Sequence, residues 1–442
     1  MMREENLFFD AYPRIVRAGR PTAITIRPLY DHVRFTAGKS YDVNIQPCEG
    51  KGRPGVEPEH FRLEPTSGSL VFSCLFEAEQ EYIISIQPAG SENRIGSAEF
   101  RVYALDEDLF SLKPYKGDLH IHSSRSDGLE APPYVAAACR RIGMDFMAVT
   151  DHGQYAPSLE AIQAFDGLDL DLKIYPGEEV HPPQNRVHLI NFGGGASINE
   201  LFAHEAQYRA GVKNLETKLT GIVSEQLRYE YASCLWCFQK IRESGGLAIL
   251  CHPYWIYNHH YNIPEPLLTC FFEDLPFDAY ELIGGYHPWE FESNFLQVGR
   301  YQEDRACGKQ IPIVGSSDAH GCENRDLFGW YYTVVFARSA GLPDLIAGIK
   351  GLNSVAVEAL PAQPIRVHGP FRLVKYAYFL LREIFPLHDE LCREEGRWMQ
   401  AFLSGDEAAA GALKKLKGQS IRAFEHIRDA RESPMAKHPV RV

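Results

Sequence analysis

From residue 117 onward the chain repeats one pattern, an apolar strand, a loop and a helix. This repeat limits the possible folds more than any other feature. The strand-like segments are GDLHIH (117–122), DFMAVT (145–150), LKIYPG (172–177), RVHLINFG (186–193), GLAILCHP (246–253), AYELIGG (279–285) and IPIVGSS (311–317). Helical stretches such as PPYVAAACRRIG (132–143) and NFLQVGRYQEDRACGK (294–309) lie between them. Several strands are apolar at consecutive positions, as a parallel sheet covered on both faces requires. Seven such units predict an α/β fold, a distorted (β/α)7-type barrel that is closed or nearly closed.

In a β/α barrel the loops at the C-terminal ends of the strands converge on the active site. The first strand ends in His120 and His122, two apart and so on one side of an extended chain, and Asp127 follows in the turn SSRSDG. The second ends in Asp151 and His152, the third in Glu178 and Glu179, and the fifth in His252. The seventh leads to Asp318 and His320. The fourth carries His188 near its start, which fits the pattern less neatly. Taken singly, each residue has an ordinary explanation: a core histidine held by a hydrogen bond, or a Thr-Asp that caps a helix. Recurrence at nearly every strand end argues for joint use. Imidazoles and carboxylates crowded into one barrel mouth are costly unless cations sit among them. So many candidate ligands also exceed the needs of one tetrahedral ion, so two to three divalent ions (zinc, manganese or iron) are expected.

The set HxH, SDG, TDH, GEE, H, CHP and SDAH resembles the polymerase and histidinol phosphatase (PHP) superfamily of metal-dependent phosphoesterases, over about residues 117–360. The GDLH opening, a β-rich N-terminal domain and the ELIGG strand also look like its carbaryl-hydrolase-like branch. The resemblance implies one ion held by His120, His122, Glu179 and Asp318. A second would share Glu179 and add His188 and His252, and a third would take Asp127, His152 and His320. It favours Glu179 over Glu178 as the bridging carboxylate, leaving Glu178 to face the barrel wall or orient a ligand. His181 competes with His188 for the second ion, and the family position favours His188.

Two close ions can activate a water as nucleophile and neutralise charge that builds on a phosphoryl group. A protein nucleophile is then unnecessary, and Ser123, Ser124, Ser316 and Ser317 read as turn residues beside the ligands. His287, in GGYHPWE, is the candidate leaving-group acid, with packing against Trp289 as its ordinary alternative. Arg125 and Arg186 are candidates to grip a phosphate, Arg125 being the one placed in the catalytic set. The leading expectation is a phosphoesterase acting on a small, anionic phosphorylated metabolite or nucleotide. A carbamate, ester or amide hydrolase using the same ions is the alternative, and a non-catalytic metal-binding or interaction module is the third reading.

The first ~110 residues alternate as half-buried strands do: TAITIRPL, YDVNIQP, SLVFSCLF, EYIISIQP and AEFRVYAL, separated by turns such as PCEGKGRPG (47–55) and PAGSENRIG (88–96). They predict a β-sandwich-like domain over 1–110, joined through DEDLFSLKPYK (106–116) to a metallohydrolase barrel over 111–360. Residues 370–433 read as helical, within a C-terminal extension over 361–442. There Leu413, Leu416, Ser420, Phe424 and Ile427 form one stripe that packs on the barrel or on a partner subunit, which allows a homodimer.

A formal charge of -13 argues against a nucleic-acid polymer as partner. MMREENLFFDAYPRIV lacks the features of a signal peptide, and YAYFLL (376–381) is too short to span a bilayer, so a cytoplasmic protein with no membrane partner is expected. The CxxC of Cys234 and Cys237 has no second pair and lies in a helical segment, so it reads as reduced structural thiols.

Overall fold

Alternating apolar residues in the first hundred positions become strands with one buried face. Gln80–Pro88, for instance, buries Gln80, Tyr82, Ile84 and Ile86 and turns the residues between them outward. The computed structural model describes residues 4–49, 59–90, 97–324 and 327–428. Most of each turn, PCEGKGRPG from 50 and PAGSENRIG from 91 onward, lies outside these residues, as does the end of the expected helical segment beyond 428. The chain divides into two units, one holding the described residues up to Leu112 together with Lys375–Leu391 and those from Gly418, the other holding Lys113–Val374 and Cys392–Lys417. The residues expected to form a separate C-terminal extension are thus shared between the two.

The first unit contains β1 (Phe9–Tyr12), β2 (Ile15–Arg17), β3 (Pro21–Pro28), β4 (Tyr41–Pro47), β5 (Glu59–Leu63), β6 (Leu70–Leu75), β7 (Gln80–Pro88) and β8 (Ala98–Leu105). They form a three-stranded sheet, β1-β3-β6, and a five-stranded sheet, β2-β8-β7-β4-β5. Ile24, Ile26, Val43, Leu70, Ile84 and Val102 belong to its buried core. Each such side chain contributes about 1.5–3 kcal/mol by leaving water. Tyr103 packs on Tyr376 and Phe379 of the helix Phe371–Glu383, at ring distances of 5.1 and 5.4 Å.

The second unit opens on a strand, β9 (Lys113–Asp118), which takes in the end of the expected linker. It continues through β10 (Phe146–Ala148), β11 (Lys173–Tyr175), β12 (Gly177–Val180), β13 (Leu189–Phe192) and β14 (Leu247–Leu250). A short hairpin, β15 (Ile256–Tyr257) and β16 (His260–Tyr261), follows. The remaining strands are β17 (Ala279–Gly284), β18 (Ile313–Ser316), β19 (Tyr331–Ala337), β20 (Ser354–Glu358) and β21 (Arg366–His368). The expected helices are found at Pro132–Arg141, Glu225–Glu243 and Phe291–Ala306, and a further helix spans Leu342–Lys350.

This α/β unit departs from an all-parallel closed barrel. Its ladders form two sheets, β11-β10-β9-β19-β20-β21 and β12-β13-β14-β17-β18. β9, β10 and β11 are parallel, as are β14, β17 and β18, but β13 runs antiparallel to both of its neighbours. Two single-residue parallel bridges, Ile121 with Ala319 and His152 with Glu179, link the sheets; Ile121, Ala319 and His152 lie just beyond strand ends, and Glu179 lies within β12. Leu119, Phe146, Ile190, Phe192, Ile249 and Val314 fill a shared core beneath those bridges. The C-terminal segment is likewise not one continuous helical stripe: Ala409–Leu416 and Gln419–Ile427 are separate helices with Lys417 and Gly418 between them.

Candidate metal centre

The bridge residues lie where the sequence places its imidazoles and carboxylates. His120 and His122 continue from β9 on one side of the chain, with Nε2 atoms 3.2 Å apart. They approach Asp318 Oδ1 to 3.1 and 2.8 Å. Glu179 is the hub. Its Oε2 lies 3.7 Å from His120 Nε2, 3.5 Å from His122 Nε2, 2.5 Å from His152 Nδ1 and 3.6 Å from His181 Nε2. Its Oε1 lies 2.7 Å from His188 Nδ1 and 3.3 Å from His252 Nε2. Asp127 completes the set, 3.3 Å from both His152 Nε2 and His320 Nε2 and 3.8 Å from His122 Nδ1. All nine sequence-selected donors therefore gather in one place.

Local structure explains several positions. Because β13 is antiparallel to its neighbours, its start lies beside their ligand-bearing ends, and His188 sits one residue before that start. Successive residues of β12 point to opposite faces, which sends Glu179 into the imidazoles and Glu178 away from them. Glu178 accepts hydrogen bonds from Asn191 Nδ2, Ser197 Oγ, the Ile198 main-chain N–H and Asn199 Nδ2, at 2.5–3.0 Å. Asp151 accepts from the Ser123 N–H and hydroxyl at 2.8 and 2.6 Å and from the Ser126 hydroxyl at 2.5 Å, fixing the turn that carries Asp127. Gly128 closes that turn; a Cβ there would stand 2.8 Å from the His122 carbonyl. His252 and Asp318 both have left-handed backbones, with φ of 27° and 51°. Such a conformation costs roughly 1–3 kcal/mol in a non-glycine residue and clusters at functional sites.

The charge state of the cluster follows from its crowding. Burial opposes ionisation of Glu179, yet His188, His120 and His152 hold its carboxyl well below the usual range. Burial likewise opposes ionisation of Asp318, but His120 and His122 keep it ionised. Burial pushes His188 down to about 4, leaving it neutral and able to bind through a lone pair. Burial also opposes protonation of His152, but Glu179 and Asp127 push it up to about 9. Glu179 Oε2, Asp318 Oδ1, His122 Nδ1, His188 Nδ1 and His252 Nδ1 are buried without a partner in hydrogen-bond geometry. Buried polar atoms are seldom left so.

These donors suit divalent ions. Three groups each converge within 4.8 Å: His120, His122 and Asp318; His122, Asp127, His152 and His320; and His152, Glu179, His181 and His188.

Other sequence candidates go elsewhere. Arg125 pairs with Glu160 through Nε and an Nη atom at 2.8 and 2.7 Å, so its guanidinium is turned to that carboxylate. The His287 ring stacks on the exposed Trp289 at 4.3 Å, and among the described residues it belongs to none of the converging groups. Arg186 is exposed, two residues before His188. Cys234 and Cys237 are buried free thiols on the helix Glu225–Glu243. Sequence reasoning passed over Glu281 on β17, whose Oε2 is 3.1 Å from His120 Nδ1, and treated His181 only as a rival to His188 although both face Glu179. The available signal for Glu281 was its place as the one charged residue in AYELIGG. Trp255 also escaped notice; its ring lies 6.2 and 6.3 Å from those of His252 and His188.

No protein-family model matches the chain. Over 121 residues, 27% of this chain, it is 42% identical to the DNA polymerase/3'-5' exonuclease PolX of Bacillus subtilis strain 168. The match spans 21% of that relative's length. Among solved structures the chain is similar to a two-domain protein of Bacteroides vulgatus containing a predicted PHP-like metal-dependent phosphoesterase, with 16% identity and a TM-score of 0.39 over 56% of this chain and 65% of that one. It is also similar to an amidohydrolase of Chromobacterium violaceum, with 19% identity and a TM-score of 0.30 over 46% of this chain and 87% of that one. No helix among the described residues is long and apolar enough to cross a membrane.

Proposed function

We propose that this chain is a metal-dependent hydrolase of the polymerase and histidinol phosphatase type, acting as a phosphoesterase on a small phosphorylated metabolite or nucleotide. The observation that carries the reading is the convergence of nine donors on Glu179, Asp318 and Asp127, with buried oxygens and nitrogens left unpaired among them. His120, His122, Glu179 and Asp318 would hold one ion, Glu179 with His188 and His252 a second, and Asp127, His152 and His320 a third. When bound, such ions supply Lewis acidity, an activated water and neutralisation of phosphoryl charge. The chain's own residues do the rest. Glu178 anchors the segment 197–199 behind the hub, Asp151 fixes the Asp127 turn, and the sheet core beneath keeps the donors in register.

A second reading, hydrolysis of carbamate, ester or amide bonds at the same site, draws on two observations. The Arg125 guanidinium is committed to Glu160, and Trp255 offers an aromatic wall beside His188 and His252. A panel of phosphomonoesters, phosphodiesters, aryl carbamates and carboxylic esters, assayed with manganese, zinc or iron, tests both. Turnover of phosphoesters is expected; turnover confined to carbamates or carboxylic esters selects the second reading.

A further inference from the structure

Glu281 is fully buried in the middle of β17, and its two oxygens face two different donors. Oε2 lies 3.1 Å from His120 Nδ1, and Oε1 accepts the main-chain N–H of His252 at 3.3 Å. Among the described residues its ion-pair partner is the His120 imidazole. In the metal reading above, on which this inference rests, His120 and His252 serve different ions. We infer that Glu281 is a positioning residue for both: it keeps the His120 proton on Nδ1, so that the Nε2 lone pair faces His122 and Asp318, and it holds the strained turn that presents the His252 ring.

Hydrogen-bond chemistry makes a carboxylate necessary here. A carboxylate accepts at both oxygens, whereas an amide accepts at one end and donates at the other. Glu281→Gln keeps the size and shape of the side chain but must turn an NH2 group toward either His120 or His252. Turned toward His120, it donates to Nδ1 and moves the imidazole proton to Nε2, the atom required by the ion. Turned the other way, two N–H groups meet at His252. A wholly structural Glu281 would tolerate an apolar or amide replacement of similar volume with no change in the metal site. A positioning Glu281 would not, and loss of such an orienting partner typically weakens metal binding about 10–100-fold.

The test uses the full chain stripped of metal and reloaded with zinc or manganese. Bound ions per chain are measured by elemental analysis across graded chelator concentrations, together with the melting temperature of the metal-free protein. Glu281→Gln is expected to lose an ion, or to need at least about tenfold more free metal, while its metal-free form still melts in one cooperative transition. Wild-type stoichiometry and affinity in Glu281→Gln would overturn the inference. Should that variant fail to fold, Glu281→Leu, which removes both acceptors within an apolar strand, is measured instead with the same two outcomes. If the wild-type chain itself holds no ion, the metal reading fails rather than the role of Glu281.

Discussion

Glu178 and Glu179 are neighbours in the chain, and β12 turns them to opposite fates: Glu179 faces six imidazoles, while Glu178 is enclosed by Asn191, Ser197, Ile198 and Asn199. Replacement of each should therefore give different phenotypes. Glu179→Gln is expected to abolish activity and lower metal content without unfolding the protein. Glu178→Ala should cost roughly 1–3 kcal/mol of stability through donors left unpaired, with metal stoichiometry kept. Denaturant titration and elemental analysis of the two variants check this; metal loss in Glu178→Ala equal to that in Glu179→Gln would contradict it.

Asp318 closes the group around His120 and His122, with its Oδ1 about equally near both rings. Carefully purified wild-type protein is expected to hold two to three ions per chain, and Asp318→Ala to hold at least one fewer. At most one ion in native protein would defeat the multinuclear reading. Chelation of the wild type should lower its melting temperature, because removing cations leaves the buried Glu179 and the largely covered Asp318 crowded among imidazoles.

Gly284 ends β17 at φ 144°, and a Cβ there would stand 1.8 Å from the Ser316 carbonyl oxygen on β18. Gly284→Ala must therefore push β17 away from β18, the strand that leads to the Asp318 turn. The backbone conformation alone costs roughly 1–3 kcal/mol, and the overlap adds to it. The expected result is a lower melting temperature together with weaker metal retention. A variant that melts and binds metal like the wild type would show that the strands do not need this close approach.

Arg140 is buried on the helix Pro132–Arg141 and pairs with Glu395 at 2.5 Å and Asp145 at 3.2 Å, while donating to the Met144 carbonyl. Arg140→Ala removes the cation and leaves buried carboxylates behind, a loss of about 3–5 kcal/mol. Double replacement of Arg140 and Glu395 by apolar residues should recover much of that loss. Chemical denaturation of the single and double variants measures it; a single variant within 1 kcal/mol of wild type would refute the role.

The candidate donors could be recognised in the sequence because the covalent chain fixes some relationships on its own. HxH on an extended segment puts two imidazoles on one side, and GEE in a strand sends its carboxylates to opposite faces, wherever the strand lies. Donor types recurring at strand ends marked eleven candidates, and the family resemblance narrowed them to the nine that the fold brings together. Other features depended on which strands become neighbours and in which direction they run, and those are set by long-range packing. His188 looked misplaced until the antiparallel direction of β13 put that strand's start beside its neighbours' ends. Glu281 and His120 are 161 residues apart, so no local pattern could pair them. Arg125 and Glu160 are 35 residues apart, and only the packing of the helix that carries Glu160 pairs them. Spacing along the chain determined which side chains could share a face; strand direction and the packed core decided which faces meet.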